Sequence, residues 1–153
     1  MSRRALLQVE VPVAAPPEEV WAAVTDWPRQ SEWILGTTVR VAEGDGRGVG
    51  SRIEAYTGVR PLGLLDTMVV TAWQPPRRVE VQHDGRVLRG PGVIEVRPSG
   101  RGSVLVWSED LVQPLGVVGS VAWWAARPLV SASFRRALGK LARAVQRERA
   151  DRG

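Results

Sequence analysis

Three polar side chains in this sequence lie where they could act as acids and bases: Asp66, His83 and Glu109. Each belongs to a segment in which apolar and polar residues alternate, and side chains two residues apart lie on the same face of a strand. The alternation gives each one apolar companions: Met68 and Val70 for Asp66, Val79 and Val81 for His83, and Leu105 and Trp107 for Glu109. Carboxyl and imidazole groups in an apolar cavity have shifted pKa values and can serve as general base and general acid.

The same three residues also have a plainer explanation. All of them lie near the ends of predicted strands, where a bulge of one residue would turn a side chain to the opposite face. His83 directly precedes Asp84-Gly85, a pair typical of tight hairpins, and could lie at the rim of the sheet. Both interpretations stay open from the sequence alone.

Composition and motifs exclude several other kinds of site. The chain of 153 residues has no cysteine and one histidine, which excludes disulfides, thiolate catalysis and zinc sites rich in Cys or His. No G-x-S-x-G motif is present, and the glycine-rich segment GDGRGVG at 44–50 lacks the Walker lysine and the Rossmann spacing. We therefore expect neither a metal nor a cofactor.

The spacing of apolar residues predicts the elements that must position these side chains. LLQVEVPV predicts a strand, APPEEVWAAVTDWP a helix with Pro17 at its first position, and RQSEWI a short second helix. From 37 to 111 the period of two predicts a meander of about six antiparallel strands. The last segment has helical spacing, with an apolar stripe of Val130, Phe134, Leu138, Leu141 and Val145. This order predicts an α+β fold in which the C-terminal helix covers the apolar face of the sheet.

We expect a single domain over residues 1–153, with a frayed tail at 148–153. The uncharged stretch Leu111–Ala126 has sixteen residues, fewer than the 20 or so that a transmembrane helix needs. Pro128 should break or kink the helix that follows. We expect the stretch before Pro128 to form the wall or entrance of a pocket. The alternatives are a plain core helix or a face that touches a membrane.

The net charge of +5 is almost entirely due to arginine, since Lys140 is the only lysine. A basic stripe on the last helix, formed by Arg136, Lys140, Arg143 and Arg147, is explained most simply as a solvated face. A weak contact with an anionic membrane surface is the alternative. Nucleic acid is not an expected partner, because the aromatic residues do not alternate with arginines in a recognised pattern. The lack of cysteine and of a signal peptide favours the cytoplasm.

Five segments, in this order along the chain, resemble the helix-grip superfamily of polyketide cyclases/dehydrases and lipid-transfer proteins (SRPBCC, including START-type domains). They are VAAPPEEVWAAVTDWPRQSEW, GVGSRIE, WQPPRRVEV, RGPGVIEVRPSGRGSVLVWSEDL and FRRALGKLARAV. The similarity is greatest to the small bacterial members of the polyketide cyclase type. It implies a helix-grip fold, in which a curved sheet of six or seven strands wraps around the C-terminal helix and encloses an apolar cavity.

In such a fold we expect the cavity to be lined by apolar and aromatic side chains, as ligand pockets usually are. The residues expected there are Trp33, Ile53, Ala55, Met68, Val70, Trp73, Val81, Ile94, Leu105, Trp107, Trp123 and Phe134. The candidate acids and bases Asp66, His83 and Glu109 would point into the same space.

Three functions are compatible with this sequence. The first is the binding or transport of a hydrophobic small molecule such as a lipid or a polyketide. The second is a cofactor-independent cyclase, aromatase or dehydratase, and the third is a partner-binding domain with a vestigial cavity. Convergence of two or more of the polar groups in a closed cavity would favour the enzyme, whereas a wholly apolar cavity would favour the carrier. A volume well below the roughly 300 Å³ typical of ligand pockets would favour the third function.

Overall fold

The computed structural model describes residues 3–153, which form one antiparallel sheet of seven strands, two α-helices and a 3₁₀ helix. The elements in chain order are β1 (Arg4–Val13), α1 (Pro17–Val24), the 3₁₀ helix (Trp27–Glu32), β2 (Thr37–Glu43), β3 (Arg52–Val59), β4 (Leu62–Gln74), β5 (Arg78–Asp84), β6 (Arg89–Ser99), β7 (Gly102–Val112) and α2 (Gly116–Arg152). The predicted α+β class, the two short helices after the first strand and the long C-terminal helix are confirmed.

The strand order across the sheet is β1-β7-β6-β5-β4-β3-β2, so the first and last strands of the chain are neighbours. Strands β2 to β7 follow one another as a meander, and β1 closes the order beside β7. The register between β4 and β5 shifts between Val70 and Ala72, where β4 has one extra residue. A bulge of this kind reverses the alternation, so residues after it change faces.

The core lies between the sheet and the second half of α2. Leu138, Leu141 and Val145 of the predicted stripe are buried, while Val130 and Phe134 are partly buried and pack against the same cluster. At α1, Pro17 occupies the first turn and Val20, Trp21 and Val24 are buried against this core. The helical period of the apolar residues therefore identified the buried face of α2 correctly.

Of the break or kink expected at Pro128, the break does not occur, since α2 continues through this residue as one helix. Proline removes the hydrogen bond to the carbonyl of residue 124, four positions earlier. That part of α2 is exposed, with Trp124 and Leu129 at 79% and 73% of their full exposure. Water can therefore solvate the free carbonyl, which makes the proline tolerable within the helix.

The segment 148–153, for which the sequence suggested a frayed tail, is helical to Arg152 in the structure. Arg149 Nη1 donates a hydrogen bond of 2.7 Å to Glu19 Oε1 of α1. Arg152 lies 3.2 Å from the other oxygen of Glu19, and Arg29 pairs with Glu148. These ion pairs hold the last turns of α2 on the N-terminal helices.

The first half of α2 has little contact with the core. Ser120, Trp123 and Val130 are half-buried, but the residues between them on the outer side are exposed. Val117, Val118 and Val121 are among the large apolar side chains that face solvent. The stretch before Pro128 is therefore not a core helix along most of its surface.

Candidate active site

A cavity of about 160 Å³ lies between the sheet and α2. Its lining is mostly apolar, and the side chains of the 3₁₀ helix close one side of it. Many of the residues expected from the sequence are in this lining: Ile53, Ala55, Met68, Val81, Ile94, Trp107 and Phe134, together with Asp66, His83 and Glu109. The three polar candidates from three different strands thus face one common space.

The imidazole of His83 connects the two carboxyl groups. His83 Nδ1 lies 2.8 Å from Asp66 Oδ1, and His83 Nε2 lies 3.0 Å from Glu109 Oε2. The indole N–H of Trp107 donates to the other oxygen of Glu109 at 2.6 Å. The side chains of His83 and Glu109 are buried, and that of Asp66 is 13% exposed. The result is a hydrogen-bonded chain of four side chains on the inner face of the sheet.

Protonation of His83 follows from this arrangement. Burial alone lowers the pKa of His83, but the hydrogen bonds to Asp66 and Glu109 and the charges of both carboxylates raise it, with a net result of about 10. At neutral pH His83 is therefore an imidazolium that donates one N–H to each carboxylate. The imidazolium thus lies between the two carboxyl groups inside an apolar cavity.

The carboxylates of Asp66 and Glu109 differ in how many of their oxygens accept hydrogen bonds. Both oxygens of Glu109 accept hydrogen bonds, from His83 and from Trp107. Asp66 accepts from His83 through Oδ1 only, and no donor among residues 3–153 bonds its Oδ2. Asp66 lines the cavity, so its Oδ2 is the carboxylate oxygen that is available to accept a proton from a ligand.

Register explains why these side chains meet. Met68 pairs with His83 across β4 and β5, and Asp66 lies two residues before Met68 on the same face. Glu109 of β7 pairs with Gly92 of β6, and β6 separates β7 from β5. A Cβ atom at Gly92 would lie 2.6 Å from Glu109 Oε2 and 3.0 Å from His83 Nε2. Glycine at this position leaves the space in which His83 and Glu109 bond across the intervening strand.

Several predicted ligand-binding residues lie outside this cavity. Val70 and Leu105 are on the inner face, but both are fully buried in the core. Trp73 follows the β4 bulge and packs edge-on against Trp21 of α1, with ring centroids 5.1 Å apart. Trp123 is half-buried against the core from the first half of α2. The inner face of the sheet is longer than the cavity, so facing inward does not by itself make a residue part of the lining.

Part of the cavity lining was not among the residues predicted from the sequence. Gly92, Thr57 and Leu64 continue the alternation of predicted residues on β6, β3 and β4, so the period of two could have identified them. Residues from the 3₁₀ helix and the turn after it carried no such signal, because a short irregular segment has no fixed face. The further members of the lining are Trp27, Gln30, Ile34, Thr37, Val39, Val79, Leu88 and Val93.

A second, more open depression of about 400 Å³ lies beside the cavity, and we call it the vestibule. Its lining is Trp33, Ile34, Leu35, Ser133, Phe134, Arg136, Ala137 and Lys140. Ile34 and Phe134 line both spaces, so they form the boundary between them. The predicted residue Trp33 thus lies in the vestibule, where its ring packs edge-on against Trp107 at a centroid distance of 6.0 Å.

Residues 3–153 lack two further kinds of feature. No α-helix in this range combines the length and the apolar character that crossing a membrane requires. Within the same range, no group of three or more histidine, aspartate or glutamate side chains is arranged to hold a metal ion.

Most of the sequence matches one known protein family. The family model described as "Polyketide cyclase / dehydrase and lipid transport" matches residues 4–146. The comparison with curated proteins finds no match.

Solved structures share the fold at low sequence identity. The Thermus thermophilus protein TTHA0849 has a TM-score of 0.78 at 16% identity, over 94% of this chain and 98% of that one. The aromatase/cyclase ZhuI from Streptomyces sp. R1128 has a TM-score of 0.75 at 17% identity, over 95% of each chain. A norcoclaurine synthase from Thalictrum flavum has a TM-score of 0.68 at 17% identity, over 97% of this chain and 98% of that one.

Proposed function

Because the chain belongs to the polyketide cyclase/dehydrase and lipid transport family, we propose that it is a cofactor-independent enzyme of the cyclase or dehydratase class. Membership confirms the resemblance seen in the sequence, and it supports a role in binding hydrophobic ligands or in cyclisation. By the size criterion alone, the volume of about 160 Å³ favours the third function, a partner-binding domain with a vestigial cavity. The observation that carries the enzyme proposal against this is the convergence of Asp66, His83 and Glu109 in that one apolar cavity. A carrier of hydrophobic molecules has no need for a buried cation between two carboxylates, which are costly to desolvate.

The proposed roles follow from which side-chain atoms of Asp66, His83 and Glu109 form hydrogen bonds and which do not. Asp66 Oδ2 is the general base, because it lines the cavity and lacks a hydrogen-bond donor among residues 3–153. His83 holds Asp66 in place and supplies a positive charge beside it. Glu109, fixed by Trp107, keeps His83 oriented and protonated, so it is a positioning residue and not a catalytic one.

In the proposed step, Asp66 Oδ2 takes a proton from a carbon next to a carbonyl group of the ligand. The C–H electron pair passes into the carbonyl, and the resulting enolate attacks a second carbonyl carbon of the same molecule to form a C–C bond. The proton on Asp66 then passes to the new alkoxide. In a dehydration, a further α-proton and the hydroxyl group leave together as water. Neither reaction needs an oxidant, a reductant or a metal.

The apolar lining supports this chemistry in two ways. Trp107 and Phe134, whose ring centroids are 5.8 Å apart, offer flat surfaces to an unsaturated or aromatic ligand. In an apolar space the positive charge of His83, which only Glu109 still balances once Asp66 has taken the proton, attracts the negative charge that develops on the enolate. Uncontrolled side reactions of a reactive poly-ketone with water are also reduced in such a space.

The test is a direct assay for loss of water or ring formation. Purified protein would be incubated with a panel of soluble β-diketone and poly-β-ketone compounds, and products would be followed by liquid chromatography and mass spectrometry. We expect wild-type protein to form cyclised or dehydrated products, and Asp66→Asn to form them at the uncatalysed rate. Binding of the same compounds without turnover would instead support the second function, a carrier.

The carrier remains the second candidate because every group of the lining outside the triad is apolar or uncharged. In that case the triad is a structural ion network and the cavity holds a ligand without changing it. Native mass spectrometry of the purified protein, followed by solvent extraction, would identify a co-purified lipid or aromatic compound. A protein without ligand, and without a fluorescence response to the panel, would support the third function, partner binding.

We also propose that the first half of α2 makes a weak contact with anionic membrane surfaces. We propose the cytoplasm as the location of the protein. Exposed Val117, Val121 and Trp124 on α2 are followed by Arg127 and Arg135, and residues 111–147 contain no aspartate or glutamate. Apolar and cationic side chains on one helix are typical of segments that bind to membrane surfaces. Co-sedimentation should be stronger with vesicles containing phosphatidylglycerol than with pure phosphatidylcholine, and Trp124→Ser should reduce it. Equal sedimentation with both vesicles would contradict the contact.

A further inference from the structure

We propose that the vestibule binds an anionic group of the ligand, a carboxylate or a phosphate, while the inner cavity holds the apolar body. The ligand class is therefore an amphipathic acid and not a neutral hydrocarbon or sterol. This inference rests on the proposed function for the inner cavity and adds a second subsite to it.

The volumes favour a ligand that occupies both spaces. Pockets for drug-sized ligands hold roughly 300–1,000 Å³. The inner cavity has a volume of about 160 Å³, which is too small for a polyketide or a lipid chain of ordinary size. The vestibule offers a further 400 Å³ or so and shares Ile34 and Phe134 with the cavity. In the proposed complex, a ligand whose reacting end reaches Asp66 extends past Ile34 and Phe134, which line both spaces, into the vestibule.

The charged groups of the vestibule are all positive. Arg136 and Lys140 lie one turn apart on α2 and both line it, and no carboxylate does. Among residues 3–153 neither cation forms an ion pair, whereas Arg29, Arg149 and Arg152 of the neighbouring surface are all paired with glutamates. A guanidinium binds carboxylate or phosphate through two parallel hydrogen bonds, and an ammonium adds a point charge. The part of the ligand that lies here should accordingly be an anion.

An unsatisfied donor gives independent support. Trp33 lines the vestibule, is only 4% exposed, and its indole Nε1 has no hydrogen-bond acceptor among residues 3–153. A buried N–H without an acceptor is uncommon and destabilising, so it calls for a partner that the protein alone does not provide. Trp107, which packs against Trp33, has its own acceptor in Glu109. In the proposed complex the ring of Trp33 turns its Nε1, which is itself buried, towards the vestibule, and an oxygen of the anionic ligand supplies the missing acceptor.

The test compares three ligands that share one chain: decanoate, decyl phosphate and the neutral decanol. Binding to the full chain would be measured by isothermal titration calorimetry at low and at high salt. We expect both anions to bind at least about tenfold more tightly than decanol at low salt, with a preference that decreases as salt rises. The ratio between decanoate and decyl phosphate shows which anion the vestibule favours. Equal affinity of all three compounds, or no binding of any, would overturn the proposal.

Substitutions of vestibule residues test whether the preference for anions arises there. Arg136→Gln and Lys140→Gln should each weaken the binding of the preferred anion by about three- to tenfold and leave decanol unchanged, as expected for the loss of one hydrogen bond of ordinary strength. Trp33→Phe keeps an aromatic ring, although a smaller one, and removes the N–H. It should cause a smaller loss, again for the anion only. Arg135→Gln is the matched control, because Arg135 adjoins Arg136 but does not line the vestibule. The same loss from Arg135→Gln as from Arg136→Gln would refute the subsite.

The two proposals can fail separately. If Asp66→Asn has no effect on turnover while the anion preference and its loss in Arg136→Gln persist, the acid–base role is wrong and the vestibule stands. If turnover depends on Asp66 but decanoate, decyl phosphate and decanol bind alike in every variant, the anion subsite in the vestibule is wrong and the acid–base role of Asp66 stands. Circular dichroism and thermal melting of each variant would verify that it is folded.

Discussion

His83 Nε2 lies 3.0 Å from Glu109 Oε2, although the two residues belong to β5 and β7, which are separated by β6. The contact exists because the residue between them on the inner face of β6 is Gly92. Any larger side chain at that position would occupy the space in which the imidazole and the carboxylate meet. A glycine on the middle strand is thus as necessary to the site as the polar residues on either side.

Gly92→Ala should therefore break the bond between His83 and Glu109. The added methyl group would lie 2.6 Å from Glu109 Oε2, so the carboxylate must move away from the imidazolium. We expect a loss of about 1.5–3 kcal/mol in the free energy of unfolding, the usual value for a hydrogen bond between charged groups. Urea denaturation would measure it. Gly48→Ala is the control, since a Cβ at Gly48 would have no neighbour within 4 Å and no positive φ to strain.

The stability of the protein should fall as the pH rises from about 6.5 towards 10. The pKa of His83 is about 10 in the folded protein and 6.5 as the ordinary value, so the folded state keeps a proton that the unfolded state has lost. The contribution is complete below pH 6.5 and disappears as the pH passes 10, with a slope of at most about 1.4 kcal/mol per pH unit. Urea denaturation at several pH values would show this slope in the wild type, and His83→Gln should remove it. Parallel curves for the two proteins would contradict a stabilising imidazolium.

Exchange of carboxylates for amides should separate the base from its positioning partner. Asp66→Asn should abolish turnover and leave ligand affinity within about twofold, because an amide fills the same space but cannot accept the proton. Glu109→Gln should lower kcat strongly, again with little change in affinity, and should also lower the pKa of His83, which NMR titration would detect. If Glu109→Gln lowers neither kcat nor the His83 pKa, its positioning role is wrong.

Trp107→Ala should weaken ligand binding whether the protein is an enzyme or a carrier. The indole contributes a large apolar surface to the cavity and lies between Trp33 and Phe134. Loss of such a surface should reduce affinity by at least about tenfold. Trp124→Ala is the matched control, because Trp124 is exposed on the first half of α2 and does not line the cavity. Undiminished affinity in Trp107→Ala would show that the ligand binds elsewhere.

The sequence was sufficient to predict the order of the elements and the fold class. It offered the inner face of the strands as one of two interpretations for Asp66, His83 and Glu109. These properties depend on local periodicity: a period of two in strands and of 3.6 in the helix assigns side chains to faces without knowledge of the partners. The stripe through Leu138 and Leu141 identified the buried side of α2 for the same reason.

Only the tertiary structure decided which inward side chains border empty space and which are packed. Val70 and Leu105 have the same alternation as Met68 and Trp107, yet they lie in the core because other elements cover them. The bulge after Val70, the close approach of His83 and Glu109 over Gly92, and the vestibule beside Trp33 all depend on contacts between residues far apart in the chain. Local periodicity carries no information about such contacts, since it specifies the face of an element and not what lies opposite to it.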